Sequence, residues 1–223
     1  MGSSADVPGK LMPLQRELLQ AFFAKNEEPG FFLSGGAVLV EWFLAHRLTD
    51  DLDLFCLDDA AYSRGAARLR RAATQVAGVY ESLQTSPDFH RAVVTRGDAS
   101  VVVDLVRERA PQLFAKEQRG RIVIDPLDEI VVNKLCAVVG RAEIRDLVDQ
   151  HALEQRGYQL EAWIERATEK DGGVSAAQLG WVLDRLQITD EATLPGGVTP
   201  STLRGFVEDL GRRLRALAFP RPS

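Results

Sequence analysis

Two aspartates set one residue apart, Asp51 and Asp53, interrupt the apolar run DLDLFCL (51–57). On a β-strand alternate residues share a face and lie roughly 6–7 Å apart. Asp51, Asp53 and Phe55 therefore fall on one side, and Leu52, Leu54 and Cys56 on the other. Two carboxylates held so close on a half-buried strand repel each other unless a cation stands between them. Clusters of carboxylate oxygen suit the hard cations Mg²⁺ and Mn²⁺. A third acid, Asp104, lies inside another apolar run, VVVDLV (101–106). If the two strands are neighbours, their backbones are ~4.8 Å apart. Three carboxylates so placed can serve two metal ions about 3.5–4 Å apart, an arrangement that suits phosphoryl and nucleotidyl transfer.

Upstream of the acids, Ser34-Gly35-Gly36 joins the apolar run FFLS to an amphipathic segment. Glycine lets the backbone approach a phosphate closely, and the free N–H groups at a helix start favour an anion. One end of residues 31–55 can thus hold a triphosphate and the other the cations that neutralise it. Taken singly, each feature is weak. A lone D-x-D is usually a surface turn, a Gly-Gly is usually a loop, and a strand acid often pairs with an arginine, for which Arg47 and Arg107 are at hand. Their order and spacing together favour the site.

The elements that must position these residues follow from periodicity. Leu11 to Ala24 has helical spacing, Phe31 to Ser34 reads as a short strand, and 37–46 as a helix. Asp58 or Asp59 can cap a helix running to about Ala77, which carries Arg64, Arg68, Arg70 and Arg71. VYESLQT and FHRAVVTR read as strands around Ser86-Pro87, RGDAS as a turn, and 101–107 and 121–124 as further strands. After Pro126 the pattern is helical over 127–139, 142–156, 159–169, 175–186 and 200–217. The expected fold class is α/β (α+β): a small mixed-sheet core over residues 1–125, with its N-terminal helix, followed by a helical C-terminal half over 126–223 that closes the cleft.

The order Gly-Gly, helix, Arg-x-Thr, D-x-D resembles the first motif of the polymerase-beta-like nucleotidyltransferases. LSGGAVL (33–39) followed by RLTDDLDLF (47–55) is most similar to the AbiEii/AbiGii toxin family of type IV toxin–antitoxin systems, with Ala37 where that family commonly has Thr. NKLCAVVGRAEIRDLVDQHAL (133–153) resembles the family's helical motif of a Lys, an Arg and then Arg/Lys-Asp-x-x-Asp. On an unbroken helix Lys134, Arg141 and Arg145 would fall within about 20° of one line, although Gly140 can break it, and Arg145 could pair with Asp149.

The resemblance spans about residues 31–153. It implies a nucleotidyltransferase core that moves an NMP from an NTP to an acceptor hydroxyl. Asp51, Asp53 and Asp104 would hold two Mg²⁺ or Mn²⁺ ions. Ser34, Gly35, Gly36, Arg47, Thr49, Lys134, Arg141 and Arg145 would bind nucleotide and phosphate. Lys134, with Asp146 or Asp149 organising the basic residues, would complete the catalytic set. The acceptor it implies is the tRNA 3′ end, and the partner a cognate antitoxin. A small-molecule (antibiotic-type) or protein nucleotidyltransferase, or a non-catalytic nucleotide-binding domain, is the alternative reading.

Composition narrows the rest. At 45% hydrophobic and 26% charged, the chain of 223 residues can bury a core. Its net charge of -5 argues against bulk attraction to nucleic acid. Cys56 and Cys136 both lie in apolar runs and read as buried free thiols, which favours a reducing, cytoplasmic compartment. The scattered His46, His90 and His151 offer no zinc spacing, and Trp42, Trp163 and Trp181 read as core. The first ten residues lack a secretory core, and no run is long enough to span a membrane.

Overall fold

The computed structural model describes residues 9–24 and 30–220. The N-terminal stretch read for a leader lies, up to residue 8, outside them. The chain divides into two compact units: the described residues up to Arg109 with Phe114–Pro126, and Ala110–Leu113 with the described residues from Leu127 onward.

The first unit is built on a seven-stranded mixed sheet. Its elements are α1 (Pro13–Phe22), β1 (Phe31–Ser34), α2 (Gly35–Val38, continued as a π-helical turn Leu39–Phe43), β2 (Asp51–Cys56), α3 (Asp59–Gln75), β3 (Val79–Thr85), β4 (Phe89–Arg96), β5 (Ala99–Arg107), β6 (Glu117–Arg119) and β7 (Ile122–Ile124). Across the sheet the order is β3-β4-β5-β2-β1-β7-β6. β2 runs parallel to β5 and antiparallel to β1, so the strand carrying two acids sits next to the strand carrying the third.

The alternation read from sequence holds in β2. Leu52, Leu54 and Cys56 are buried, while Asp51, Asp53 and Phe55 are half-buried. On the buried side Gly65 of α3 sits directly over Phe31 and Leu105. Asp58 caps α3 by accepting from the Ala61 N–H at 2.7 Å. Arg68 on α3 is buried: its Nε donates to the Phe22 carbonyl at 2.7 Å and its guanidinium lies 4.4 Å from the Phe22 ring centre. The long aliphatic stem and planar head let it pack between helices while its charge stays bonded.

The second unit is helical: α4 (Leu127–Gly140), α5 (Ile144–Gln155), a 3₁₀ turn (Leu160–Trp163) leading into α6 (Ile164–Lys170), α7 (Ala176–Asp184), a second 3₁₀ turn (Pro195–Gly197) and α8 (Pro200–Ala218). Its core contains Ile130, Leu135, Leu147, Leu153, Leu183 and Leu210. A buried ion pair stiffens it: Lys170 bonds Glu129, whose other oxygen accepts from the Leu113 N–H at 2.9 Å. Trp181, expected in the core, is 56% exposed on α7, its ring covered by Arg185. Cys136 is only half-buried. No helix among the described residues is long and apolar enough to cross a membrane.

Candidate active site

Strand pairing draws four polar residues of the first unit into one row. Ser34 on β1 is the register partner of Asp53 on β2, Asp53 of Asp104 on β5, and Asp104 of Arg91 on β4. Register partners project from the same face of a sheet. Ser34, Asp53, Asp104 and Arg91 therefore form a line across four strands, about 14 Å long at the usual strand spacing. Asp51, two residues before Asp53, shares that face and pairs with Val102.

The glycine corner closes one end of the row. Gly35 has φ +69°, and a Cβ built there would lie 2.4 Å from Asp53 Oδ2. A Cβ on Gly36 would lie 2.5 Å from Arg47 Nη2 and 3.6 Å from Thr49 Oγ1. A side chain at either position would meet the end of Asp53 or of Arg47 as they stand. The connection from α2 to β2 is itself anchored. Gln15 of α1 donates to the Thr49 carbonyl at 2.8 Å, Arg47 donates to the Leu48 carbonyl at 2.9 Å, and Thr49 Oγ1 donates to Asp51 Oδ1 at 2.7 Å. The Arg-x-Thr-x-Asp spacing thus places a hydroxyl on the first acid.

At the other end, Arg91 grips Asp104 with both arms of its fork: Nε to Oδ1 at 2.8 Å and Nη2 to Oδ2 at 2.7 Å. The Asp104 side chain is 8% exposed and that of Arg91 42%. The hydrogen bond to Asp104 raises the Arg91 pKa. Burial works against this, and attraction by Asp104, Asp51 and Asp53 reinforces it. One guanidinium thus feels all three acids. Sequence reasoning offered Arg47 or Arg107 as partner for a strand acid and missed Arg91. Arg107 contacts Asp59 and, at 3.7 Å, Asp88. A second cation was also missed. Lys116 bonds the buried Asp125 and lies 3.8 Å from the ring centre of Phe32, which stacks on Phe55.

Among the described residues, no three His, Cys, Asp or Glu side chains converge tightly enough to hold a metal ion as they stand. Two of the three acids have other partners: Thr49 donates to Asp51, and Arg91 donates to Asp104. The donor set nevertheless fits a hard divalent cation. Three carboxylates project from one sheet face, two of them in register, and Gly35 brings bare backbone against Asp53.

In the second unit Lys134 bridges two sealed carboxylates. Its Nζ lies 2.7 Å from Asp146 Oδ1 and 2.5 Å from Asp149 Oδ2, and neither aspartate side chain is exposed. Arg141 adds Nε to Asp146 Oδ2 at 2.9 Å and Nη2 to Oδ1 at 3.1 Å. Burial alone would lower the Lys134 pKa and raise that of Asp146. The ion pairing outweighs it, leaving Lys134 raised and Asp146 lowered. The alignment of Lys134, Arg141 and Arg145 that an unbroken helix would give does not occur. α4 ends at Gly140, Ala142 takes φ +49°, and α5 starts at Ile144. The turn folds Arg141 back onto Asp146, and Arg145 Nε lies 2.6 Å from Glu143 Oε2.

Residues 17–209 match the profile of a family described as nucleotidyl transferase AbiEii toxin, type IV TA system. Several solved structures share the fold. MenT4, a nucleotidyltransferase toxin from Mycobacterium tuberculosis H37Rv, is 14% identical, with a TM-score of 0.59 over 91% of this chain and 86% of its own. JHP933 from Helicobacter pylori is 16% identical, with a TM-score of 0.52 over 92% of each chain. A putative nucleotidyltransferase from H. pylori is 16% identical, with a TM-score of 0.51 over 92% of this chain and 94% of its own. No curated protein matches the sequence at a significant level.

Proposed function

Because the chain belongs to the AbiEii nucleotidyltransferase toxin family of type IV toxin–antitoxin systems, we propose that it moves an NMP from an NTP to the terminal hydroxyl of tRNA in a metal-dependent reaction countered by a cognate antitoxin. The observation that carries this reading is the single row of Ser34, Asp53 and Asp104 ending at the Gly35-Gly36 corner. Asp51, Asp53 and Asp104 would hold the divalent cations. Bound there, Mg²⁺ or Mn²⁺ would neutralise the triphosphate and stabilise charge on the leaving pyrophosphate.

The chain's own groups do the rest. The backbone at Ser34, Gly35 and Gly36, of which Gly35 is the half-buried part, would receive the β- and γ-phosphates, glycine permitting a close approach. Arg47 and Thr49 brace that corner, and Thr49 aims the Asp51 carboxylate through its hydroxyl. Asp104, next to Asp53, accepts the proton of the attacking hydroxyl as it closes on the α-phosphate in line. Within the second unit, Asp146 and Asp149 fix Lys134, and Arg141 and Arg145 keep partly exposed guanidinium groups. Such a toxin would work in the cytoplasm, where NTPs and tRNA are.

Incubating the protein with each labelled NTP, Mg²⁺ and total RNA tests the reading. Label at tRNA 3′ ends that is lost in Asp51→Ala supports it. Label in protein or in a small molecule instead would move the acceptor to the alternative classes. Label that persists undiminished in Asp51→Ala would overturn the site.

A further inference from the structure

The row of acids carries a cation of its own, and it sits where a metal ligand is needed. Asp104 is buried, and both its oxygens are taken by Arg91. Arg91 lies one strand further from Asp53 on the same face, with nearly half its side chain in solvent. Of the two residues, Asp104 is fixed within the sheet and Arg91 has room to swing away. An arginine fork and a divalent cation compete for the same carboxylate lone pairs.

We propose that Arg91 is a built-in counter-cation for the third carboxylate. It keeps the charge on Asp104 paired while the site is empty, and it must release Asp104 before that residue can act as a metal ligand. This rests on the nucleotidyltransferase reading above and adds a positioning residue to it. The physical need is direct: three like charges on one half-buried face are costly without compensation, and a buried carboxylate without a partner is costlier still. Arg91 meets that need in the absence of ligand and for that reason opposes metal binding. The freed guanidinium, still tethered at the rim of the row, is then available to an incoming phosphate.

Mn²⁺ titration of the full chain without nucleotide, followed by the electron paramagnetic resonance signal of free Mn²⁺, tests this without reference to activity. Wild-type protein should show one tighter and one weaker site. Arg91→Gln should tighten the weaker site about tenfold, since Asp104 then has no competing partner, and should enlarge the rise in melting temperature that Mn²⁺ confers. Arg91→Lys, which keeps a charge but not the fork, should fall between, and Asp104→Asn should lose the weaker site alone. An Arg91→Gln isotherm identical to wild type, or weaker Mn²⁺ binding by both Arg91 variants when their circular dichroism is native, would overturn the counter-cation. Mn²⁺ binding that survives Asp51→Asn and Asp53→Asn unchanged would overturn the site beneath it, which is a separate result.

Discussion

Asp53 and Asp104 stand side by side in register on parallel strands, although they lie in distant parts of the sequence. Replacing either with Asn should reduce NMP transfer at least about a hundredfold, the scale of losing one group that stabilises transition-state charge. Their effects on folding should differ. Asp104→Asn strips Arg91 of its two-armed partner and should cost about 1–3 kcal/mol, read as a lower urea midpoint. Equal activity of Asp104→Asn and wild type would show that the third acid takes no part.

Gly35→Ala combines two penalties. A left-handed residue with a Cβ costs about 1–2 kcal/mol, and this Cβ would strike the Asp53 carboxylate. Transfer should fall at least about tenfold while the protein still folds. Gly97→Ala, also at positive φ but with nothing near its Cβ, supplies the control: it carries the strain without the collision and should keep its activity.

Lys134→Met leaves Asp146 and Asp149 facing each other in a sealed site. Removing one partner of a buried ion pair typically costs about 3–5 kcal/mol, so this variant should unfold at markedly lower denaturant. Combining it with Asp146→Asn and Asp149→Asn removes the stranded charges and should recover much of that loss. A triple variant no more stable than the single one would mean that the pairing is not what holds α4 to α5.

The same network gives a pH dependence. The Asp146 carboxyl is lowered in the folded protein because Lys134 and Arg141 outweigh burial. Its contribution is therefore full above the ordinary carboxylate value of about 4 and is lost as pH falls through the lowered folded value. The unfolded chain takes the proton first, so acid drives unfolding. Lys134, raised by the same pairing, contributes below about pH 10.4 and loses its share as pH climbs past the raised folded value. Urea midpoints measured from pH 3 to 7 should drop at the acid end, and Asp146→Asn should flatten that drop.

The two thiols should separate in a labelling experiment. Cys56 has no exposed surface, and burial, with help from Asp58, pushes its thiol up to about 11. Cys136 is half-buried. A thiol reagent at pH 8 should modify Cys136 within the native protein and reach Cys56 only after denaturant is added.

Much of this arrangement was readable from residue types because strands repeat every two residues. The alternation in DLDLFCL put both acids on one face, and the apolar setting of Asp104 marked it as costly and therefore purposeful. Arg91 was readable too, had the register been counted. The Gly97-Asp98 turn makes Arg96 and Ala99 partners, and stepping back five residues on one strand and forward five on the other reaches Arg91 and Asp104. Gly140 marked where the helix can break; what could not be read was how the turn after it folds Arg141 back onto Asp146. Asp146 meets Arg141 and Lys134 only through that tertiary arrangement, which spacing along the chain does not show. Trp181 differs from its reading for a related cause: amphipathic side chains go wherever their neighbours leave room.

The ledge of Ser34, Asp53, Asp104 and Arg91 draws one residue from each of four strands, and its outermost members, Ser34 and Arg91, lie far apart in the sequence. No hairpin or shorter piece of the polypeptide contains it. If the row is the catalytic site, a chain still being synthesised would stay inactive until β5 has threaded in beside β2.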